Sequence, residues 1–251
     1  MRSPFTAGSA LLATGVLVVA LVGCGTPEAV PAPRATTPTP TPVVVVTPAP
    51  TATVAAPTSS VAEASVPVVT AYDAPDGAAA FEFGNPIDSG APLTFYVEEK
   101  QGEWLHVRLP TRPNGSTGWI RSSDVHVKAL SYSLLVSTAG HTVTLLKDDE
   151  VVDTFPAAVG TGDTPTPLGE FYLTELLAPT NDGYGPFAYG ISAFSEVLNE
   201  FGGGPGQIGM HGTDDAASIG QSASHGCIRL SNEDITMLAG MLPLGTPITI
   251  E

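Results

Sequence analysis

Ser224-His225-Gly226-Cys227-Ile228-Arg229, with His211-Gly212-Thr213 upstream, is the stretch on which the reading of this chain turns. The 251-residue sequence holds two cysteines, Cys24 and Cys227. Only Cys227 falls in a part of the chain with the composition of a folded domain. An unpaired thiol there is a candidate reactive group rather than half of a disulfide. A thiol attacks as the thiolate, so it needs a base or a positive charge close by. Histidine is the usual base. No histidine follows Cys227, so any base comes from upstream, from His211 or His225. Arg229, two residues beyond the thiol, adds a cation.

The N-terminal tract reads as an export signal. Arg2 precedes an apolar stretch from Ala10 to Val22 that ends in Leu21-Val22-Gly23-Cys24. A charged start, a short apolar core and small residues at its end describe a secretory signal over 1–23. The stretch is short for a spanning helix, which needs about 20 apolar residues. Leu-Val-Gly-Cys resembles the bacterial lipobox, which implies cleavage before Cys24 and a diacylglycerol on its sulfur. The plainer alternative is an uncleaved anchor. A pairing of Cys24 with Cys227 would disable the thiol and is rejected. The expectation is an extracytoplasmic protein, lipid-anchored to the outer face of the cell membrane. Residues 24–65 then form a Pro/Thr/Ala-rich linker with nine prolines and only Glu28, Arg34 and Glu63 as charges. Such a tract cannot pack a core and favours extended polyproline II. At roughly 3.1 Å per residue it would reach about 120 Å.

The chain has 25 acidic and nine basic residues and a net charge of −16. Nucleic acid and acidic polymers are therefore excluded as partners, because phosphate binding needs clustered Lys and Arg. From Tyr132 onward the only cations are Lys147 and Arg229. Lys147 sits in an acidic Lys147-Asp148-Asp149-Glu150 turn, which leaves Arg229 as the cation available to a substrate carboxylate.

Two β-rich modules are expected after the linker. In 66–128, Leu93–Val97 and Trp104–Leu109 read as strands joined by a Glu98–Glu103 turn, followed by Gly118-Trp119-Ile120 and Val125-His126-Val127. This order resembles bacterial SH3-like domains and implies a small SH3-like β-barrel, either a binder of wall peptide or a packing spacer. His106 and His126 read as ordinary strand residues. In 131–251, Ser133–Thr138 and His141–Leu146 flank an Ala139-Gly140 turn, a hairpin pattern. Val151–Val159 and Gly169–Leu177 follow as strands, with a Gly160–Pro167 loop between them. Ala178–Gly190 reads as a long loop carrying Tyr184, Phe187 and Tyr189, of the kind that covers a site. Ser231-Asn232-Glu233-Asp234 has capping character. Ile235, Leu238, Ala239 and Leu242 make one apolar helical face, and Thr246–Ile250 a last strand.

The upstream position of the histidines rules out the papain-like order and disfavours wall endopeptidases of the NlpC/P60 type. The residues alone leave open a zinc site at His211, His225 and Cys227, completed by Asp214 or Asp215, and a non-catalytic wall-binding role. The His211-Gly212-Thr213 and Ser224–Arg229 motifs together resemble the signature of the L,D-transpeptidase (YkuD) catalytic domain. Thr164-Pro165-Thr166-Pro167-Leu168-Gly169-Glu170-Phe171 resembles the family's Pro-Thr-Pro-x-Gly-x-Phe segment, and Gly206–Met210 fits as well.

The resemblance implies a mainly β fold, a β-sandwich with a short capping helix. It implies Cys227 as nucleophile and His211 as general base, with its other ring nitrogen held by the Gly212 carbonyl. Ser224 and His225 support the site, and the N–H groups of Gly226 and Cys227 form the oxyanion hole. Arg229 stands where some members have asparagine and is assigned to substrate binding, as is Tyr189. Tyr184, Phe187 and Tyr189 would exclude water. No metal or cofactor is implied. The implied reaction is attack of Cys227 on the third stem residue of peptidoglycan with loss of D-Ala. An amine of a neighbouring stem then resolves the thioester to a 3→3 cross-link. Peptidoglycan stem peptides are the implied partners, and β-lactams of the carbapenem type the implied covalent inhibitors. An L,D-carboxypeptidase would share the acyl-enzyme and differ only in its acceptor.

Overall fold

Seven short strands open the folded part: β1 (Ser60–Ala64), β2 (Val68–Tyr72), β3 (Ala79–Gly84), β4 (Thr94–Gln101), β5 (Trp104–Arg108), β6 (Thr117–Arg121) and β7 (Val125–Ala129). The computed structural model describes residues 59–180, 183–201 and 203–251. The expected signal segment, Cys24 and the linker up to residue 58 lie outside the described residues. The strands form one antiparallel sheet in the order β3-β2-β6-β5-β4-β1-β7. Ala62, Val69, Phe95, Val107 and Ile120 are fully buried in its core.

Strand β1 corrects the linker boundary at residue 65. Ser60–Glu63 pair with Val97–Thr94 on one side and Ser60–Ala64 with Ala129–Val125 on the other, so these residues are central to the module. Ser, Val and Ala at 60–64 share the composition of the proline-rich tract, and only the sheet on both sides distinguishes them. The Glu98–Glu103 turn is also tighter than expected. Strand β4 runs through Gln101, and Gly102 at φ 59° makes the pivot, a left-handed conformation that glycine adopts without penalty.

The second module contains β8 (Tyr132–Ser137), β9 (Thr142–Lys147), β10 (Glu150–Pro156), β11 (Val159–Gly160), β12 (Gly169–Leu177), β13 (Ala188–Phe194), β14 (Gln207–Gly212), β15 (Ser222–Ser224), β16 (Ile228–Leu230), α1 (Asn232–Ala239) and β17 (Pro247–Ile250). Eight strands follow the order β10-β9-β8-β17-β12-β13-β14-β16, and β11 pairs with β15. Strand β12 joins the two halves. Its residues 169–172 pair with β17, while residues from Leu173 onward pair with β13. Val136, Leu173, Ile191, Met210, Ile228 and Ile248 are fully buried in the core. The module is a mainly β sandwich with a single helix among the described residues, as expected. Strands β13 to β16 were not expected: Ala188–Gly190, read as the end of a loop, start β13, and no strand was placed over the residues of β14, β15 or β16. A glycine at 190 hides the strand pattern, yet a Cβ there would lie 2.7 Å from Glu175 Oε1 and 2.9 Å from Thr174 Oγ1.

Helix α1 forms where its cap predicts. Ser231 Oγ accepts the Asp234 N–H at 3.1 Å, and Glu233 and Asp234 occupy the first turn, where the helix dipole favours negative charge. Ile235 and Leu238 are fully buried. Tyr189, 1% exposed, reaches from β13 to the far end of the helix. Its hydroxyl donates to the carbonyl of Leu242 at 2.9 Å, beyond the helix end, and also lies 3.2 Å from that of Leu238, which already accepts the N–H groups of Met241 and Leu242. Tyr189→Phe should therefore cost about 1–3 kcal/mol of stability, read as a lower urea midpoint, with the alkylation rate of Cys227 unchanged.

Candidate active site

The turn that carries the thiol is built by its neighbours. Gly226 takes φ 116°, and a Cβ there would lie 3.0 Å from Ile208 Cδ1, so only glycine fits. Ser224 Oγ donates to the Cys227 carbonyl at 2.5 Å and accepts the Gly226 N–H at 3.1 Å. The Thr-Pro-Thr-Pro segment supports this turn from outside. Thr166 Oγ1 donates to the Gly226 carbonyl at 2.9 Å and accepts the Gly160 N–H at 2.9 Å. Thr161 N–H and Thr164 Oγ1 both donate to the Ser224 carbonyl. The motif is thus a scaffold for the cysteine turn. The expected oxyanion pair changes for the same reason: the Gly226 N–H is directed at Ser224 Oγ.

His211 enters on β14, which pairs in parallel with β16 so that His211 faces Arg229 in register. The ring is 3% exposed. Its Nδ1–H donates to the Gly212 carbonyl at 2.6 Å, as expected, which leaves Nε2 as the acceptor nitrogen. A methyl group built on Gly209 would lie 3.9 Å from both Cys227 Sγ and His211 Cδ2, so thiol and imidazole border the same glycine. Arg229 is fixed through its backbone, which exchanges two hydrogen bonds of 2.8 Å with Ala158. Among the described residues its guanidinium forms no ion pair, and its Nε is buried without a hydrogen-bond partner.

Cys227, His211, His225, Ser224 and Arg229 line one cavity of about 280 Å³. Two aromatic rings close it. Tyr184 lies 4.4 Å from the His211 ring, tilted by 32°, and Phe201 stacks on His225 at 5.2 Å and 28°. Tyr184 is set between Gly183 and Gly185, both at positive φ. A side chain on Gly185 would strike Asn232 Oδ1 and come within 2.7 Å of Gly212 Cα, so the Tyr184 loop lies directly on the His211-Gly212 backbone.

The site therefore gathers Cys227, His211, Gly212, Ser224, His225, Gly226 and Arg229, and it leaves out Tyr189. That tyrosine, expected at the substrate, is held in the core by the Leu242 and Leu238 carbonyls. Tyr184 takes the place beside the imidazole. Both tyrosines stand in one Gly/Pro-rich tract, and sequence carries no sign of which one turns inward. Phe187 packs against the core. Phe201 was not anticipated, since it stands alone before a run of glycines far from either motif. No group of three His, Cys, Asp or Glu side chains among the described residues is placed to hold a metal ion. Asp214, weighed as a ligand, accepts from Asn232 Nδ2 at 3.0 Å instead.

Burial decides the charge states. It holds the His211 imidazolium below the usual histidine range, and the Arg229 charge adds to this, while the Gly212 bond opposes it. Burial also pushes the Cys227 thiol up, against a backbone hydrogen bond from Gly209 and the Arg229 charge. The resting pair is thus a neutral thiol beside a neutral imidazole. Tyr184 is raised by burial and by Cys227, so its hydroxyl keeps its proton. This arrangement can transfer a proton from sulfur to Nε2 as the sulfur attacks, in a pocket that offers one cation to a carboxylate.

The L,D-transpeptidase catalytic domain model (YkuD) matches residues 131–250. The chain is similar to the YkuD protein of Bacillus subtilis, 40% identical over 176 residues that cover 63% of this chain and 98% of that protein. It is 38% identical over 132 residues to YkuD of Bacillus licheniformis, covering 52% of this chain and 70% of that one. Both relatives carry an L,D-transpeptidase name. Among solved structures it is similar to L,D-transpeptidase 3 from Mycobacterium tuberculosis in complex with a faropenem-derived adduct, at 17% identity and a TM-score of 0.41, over 54% of this chain and 73% of that one. An L,D-transpeptidase from Mycobacterium smegmatis aligns at 18% identity and a TM-score of 0.40, over 64% and 90% of the two chains. Covered over nearly its whole length at this identity, the B. subtilis relative places the chain: it belongs to the L,D-transpeptidase family.

Proposed function

We propose that this chain forms 3→3 cross-links in peptidoglycan through a thioester on Cys227. The observation that carries the reading is the His211 Nδ1 bond to the Gly212 carbonyl at 2.6 Å. It fixes one tautomer and leaves Nε2 as a base in the cavity shared with Cys227. Nε2 accepts the thiol proton as sulfur adds to the carbonyl of the third stem residue. The oxyanion forms against the Cys227 N–H and the protonated Tyr184 hydroxyl. The imidazolium then gives its proton to the departing D-Ala nitrogen, and the thioester remains. An amine from a second stem attacks next, and His211 takes the amine proton as the thiolate leaves and is reprotonated.

Arg229, which forms no ion pair among the described residues, is assigned to a donor carboxylate. Tyr184 and Phe201 line the pocket with apolar surface, which favours an amine acceptor over water. Carbapenem-type β-lactams are expected to acylate the same sulfur. We also assign Cys24 as a lipid attachment point that holds the protein at the outer membrane face, with the proline-rich tract as a spacer. The seven-stranded module is read as SH3-like.

The product pattern tests the reaction. Purified protein with tetrapeptide muropeptides should yield 3→3 dimers and free D-Ala, whereas free tripeptide without dimers would make the protein an L,D-carboxypeptidase. His211→Ala should lower the acylation rate by about 10²–10⁴-fold, and His225→Ala by much less; equal losses would contradict the assignment of the base.

The pH dependence follows from the two shifts. A lowered His211 value keeps the base neutral and active through neutral pH, so the acid limb of kcat/KM should fall below the ordinary histidine range. A raised Cys227 value means that alkylation by iodoacetamide should still climb above the ordinary thiol range. Arg229 lowers both values, so Arg229→Ala should move both limbs to higher pH. Arg229→Lys should keep both limbs in place yet raise the donor KM roughly tenfold, because a point charge replaces a planar fork. Unmoved limbs in Arg229→Ala would show that its charge does not reach the pair.

A further inference from the structure

Arg112 and Asn114 belong to the loop between β5 and β6 of the first module, yet their side chains bond to the backbone of the second. Arg112 Nη1 donates to the Ser195 carbonyl at 2.6 Å, and Nη2 to the carbonyls of Leu198 and Pro205 at 3.0 Å each. Its guanidinium also lies 5.1 Å over the Phe194 ring. Asn114 mimics a strand partner: Nδ2 donates to the Phe194 carbonyl at 2.7 Å and Oδ1 accepts the Phe194 N–H at 2.9 Å.

These acceptors bracket the segment that carries Phe201. It leaves β13 at Ser195, whose N–H donates to the Gly206 carbonyl at 2.8 Å. Ser195 Oγ accepts the N–H groups of Val197 and Leu198. Gly206 has φ 72°, and a Cβ there would strike the Leu198 carbonyl, so the two ends of the segment lie together under the guanidinium. At its tip Phe201 exchanges two hydrogen bonds of 3.0 Å with Gly204, stacks on His225 and walls the cavity that holds Cys227. Arg112 has no carboxylate partner among the described residues. All of its donors in these bonds go to main-chain carbonyls of one segment, which are charge-assisted and directional.

We infer that Arg112 and Asn114 are positioning residues for the proposed transfer reaction. By clamping Phe194–Leu198 and Pro205 they set Phe201 against His225 and so fix the width of the pocket over Cys227. The first module thereby helps determine which acyl groups and acceptors reach the sulfur, without touching the reacting atoms. The effect on turnover rests on the reading above, whereas the effect on pocket width does not.

The test compares alkylation of Cys227 by a small reagent, iodoacetamide, and a bulky one, N-benzylmaleimide, in the full chain. Arg112→Ala should raise the ratio of bulky to small reagent rates severalfold. The exposed Phe201→Ala should do the same. Because both changes act through one ring, the double variant should show no further rise. Arg112→Lys should restore only part of the wild-type ratio, and it serves the same comparison should Arg112→Ala fail to fold. With tetrapeptide donor, Arg112→Ala should shift products from dimers toward tripeptide. An unchanged reagent ratio with a lowered unfolding midpoint, or additive effects in the double variant, would overturn the inference. If the ratio shifts but the wild type forms no dimers, the clamp stands and the reaction assignment fails.

Discussion

Parallel pairing of β14 with β16 is the constraint on which the site depends. It sets His211 opposite Arg229 and leaves Cys227, the residue before β16, at the point where the chain emerges from its turn. The same pairing brings the sulfur, the imidazole edge and Gly209 together. Other elements serve that arrangement. The Thr164–Thr166 hydroxyls hold the turn before the cysteine, Gly185 lets the Tyr184 loop lie on Gly212, and α1 closes the layer beneath through Ile235 and the Tyr189 hydroxyl.

Burial is the cost and the use of this construction. A histidine 3% exposed resists protonation and a half-buried thiol resists ionisation, so both groups rest neutral. Arg229 adds to burial at the histidine and opposes it at the thiol without reversing it, so it favours the free base and the thiolate alike. In the proposed reaction, charge develops only as the sulfur meets a carbonyl, where fixed donors stabilise it without reorganisation. In the same proposal the Tyr184 and Phe201 rings over the pocket favour a bound amine over water.

The fold was legible where periodicity and turn chemistry acted locally. The Ala139-Gly140 hairpin, the Gly169–Leu177 strand and the Ser231-capped helix stand where the sequence places them. Strand β1 was hidden because Ser60–Ala64 matches the proline-rich tract in composition and becomes a strand only by pairing on both edges. Cys227 and Arg229 were readable from residue order and charge scarcity, whereas order left His211 and His225 both open as the base and only the family resemblance singled out His211. Tyr184 and Tyr189 were not separable, since five residues of one Gly/Pro-rich tract give no sign of which ring turns toward the sulfur. Phe201 and Arg112 were out of reach for another reason: Phe201 meets His225 and Arg112 meets the carbonyls of Ser195, Leu198 and Pro205 across long sequence separations that no local pattern encodes.

The account stands or falls on the covalent step. Intact-mass measurement of the protein mixed with a tetrapeptide donor should show an adduct of the donor minus D-Ala, mapped to Cys227 and absent in Cys227→Ala. Dimer formation without any adduct on Cys227, or an adduct that persists in Cys227→Ala, would contradict it.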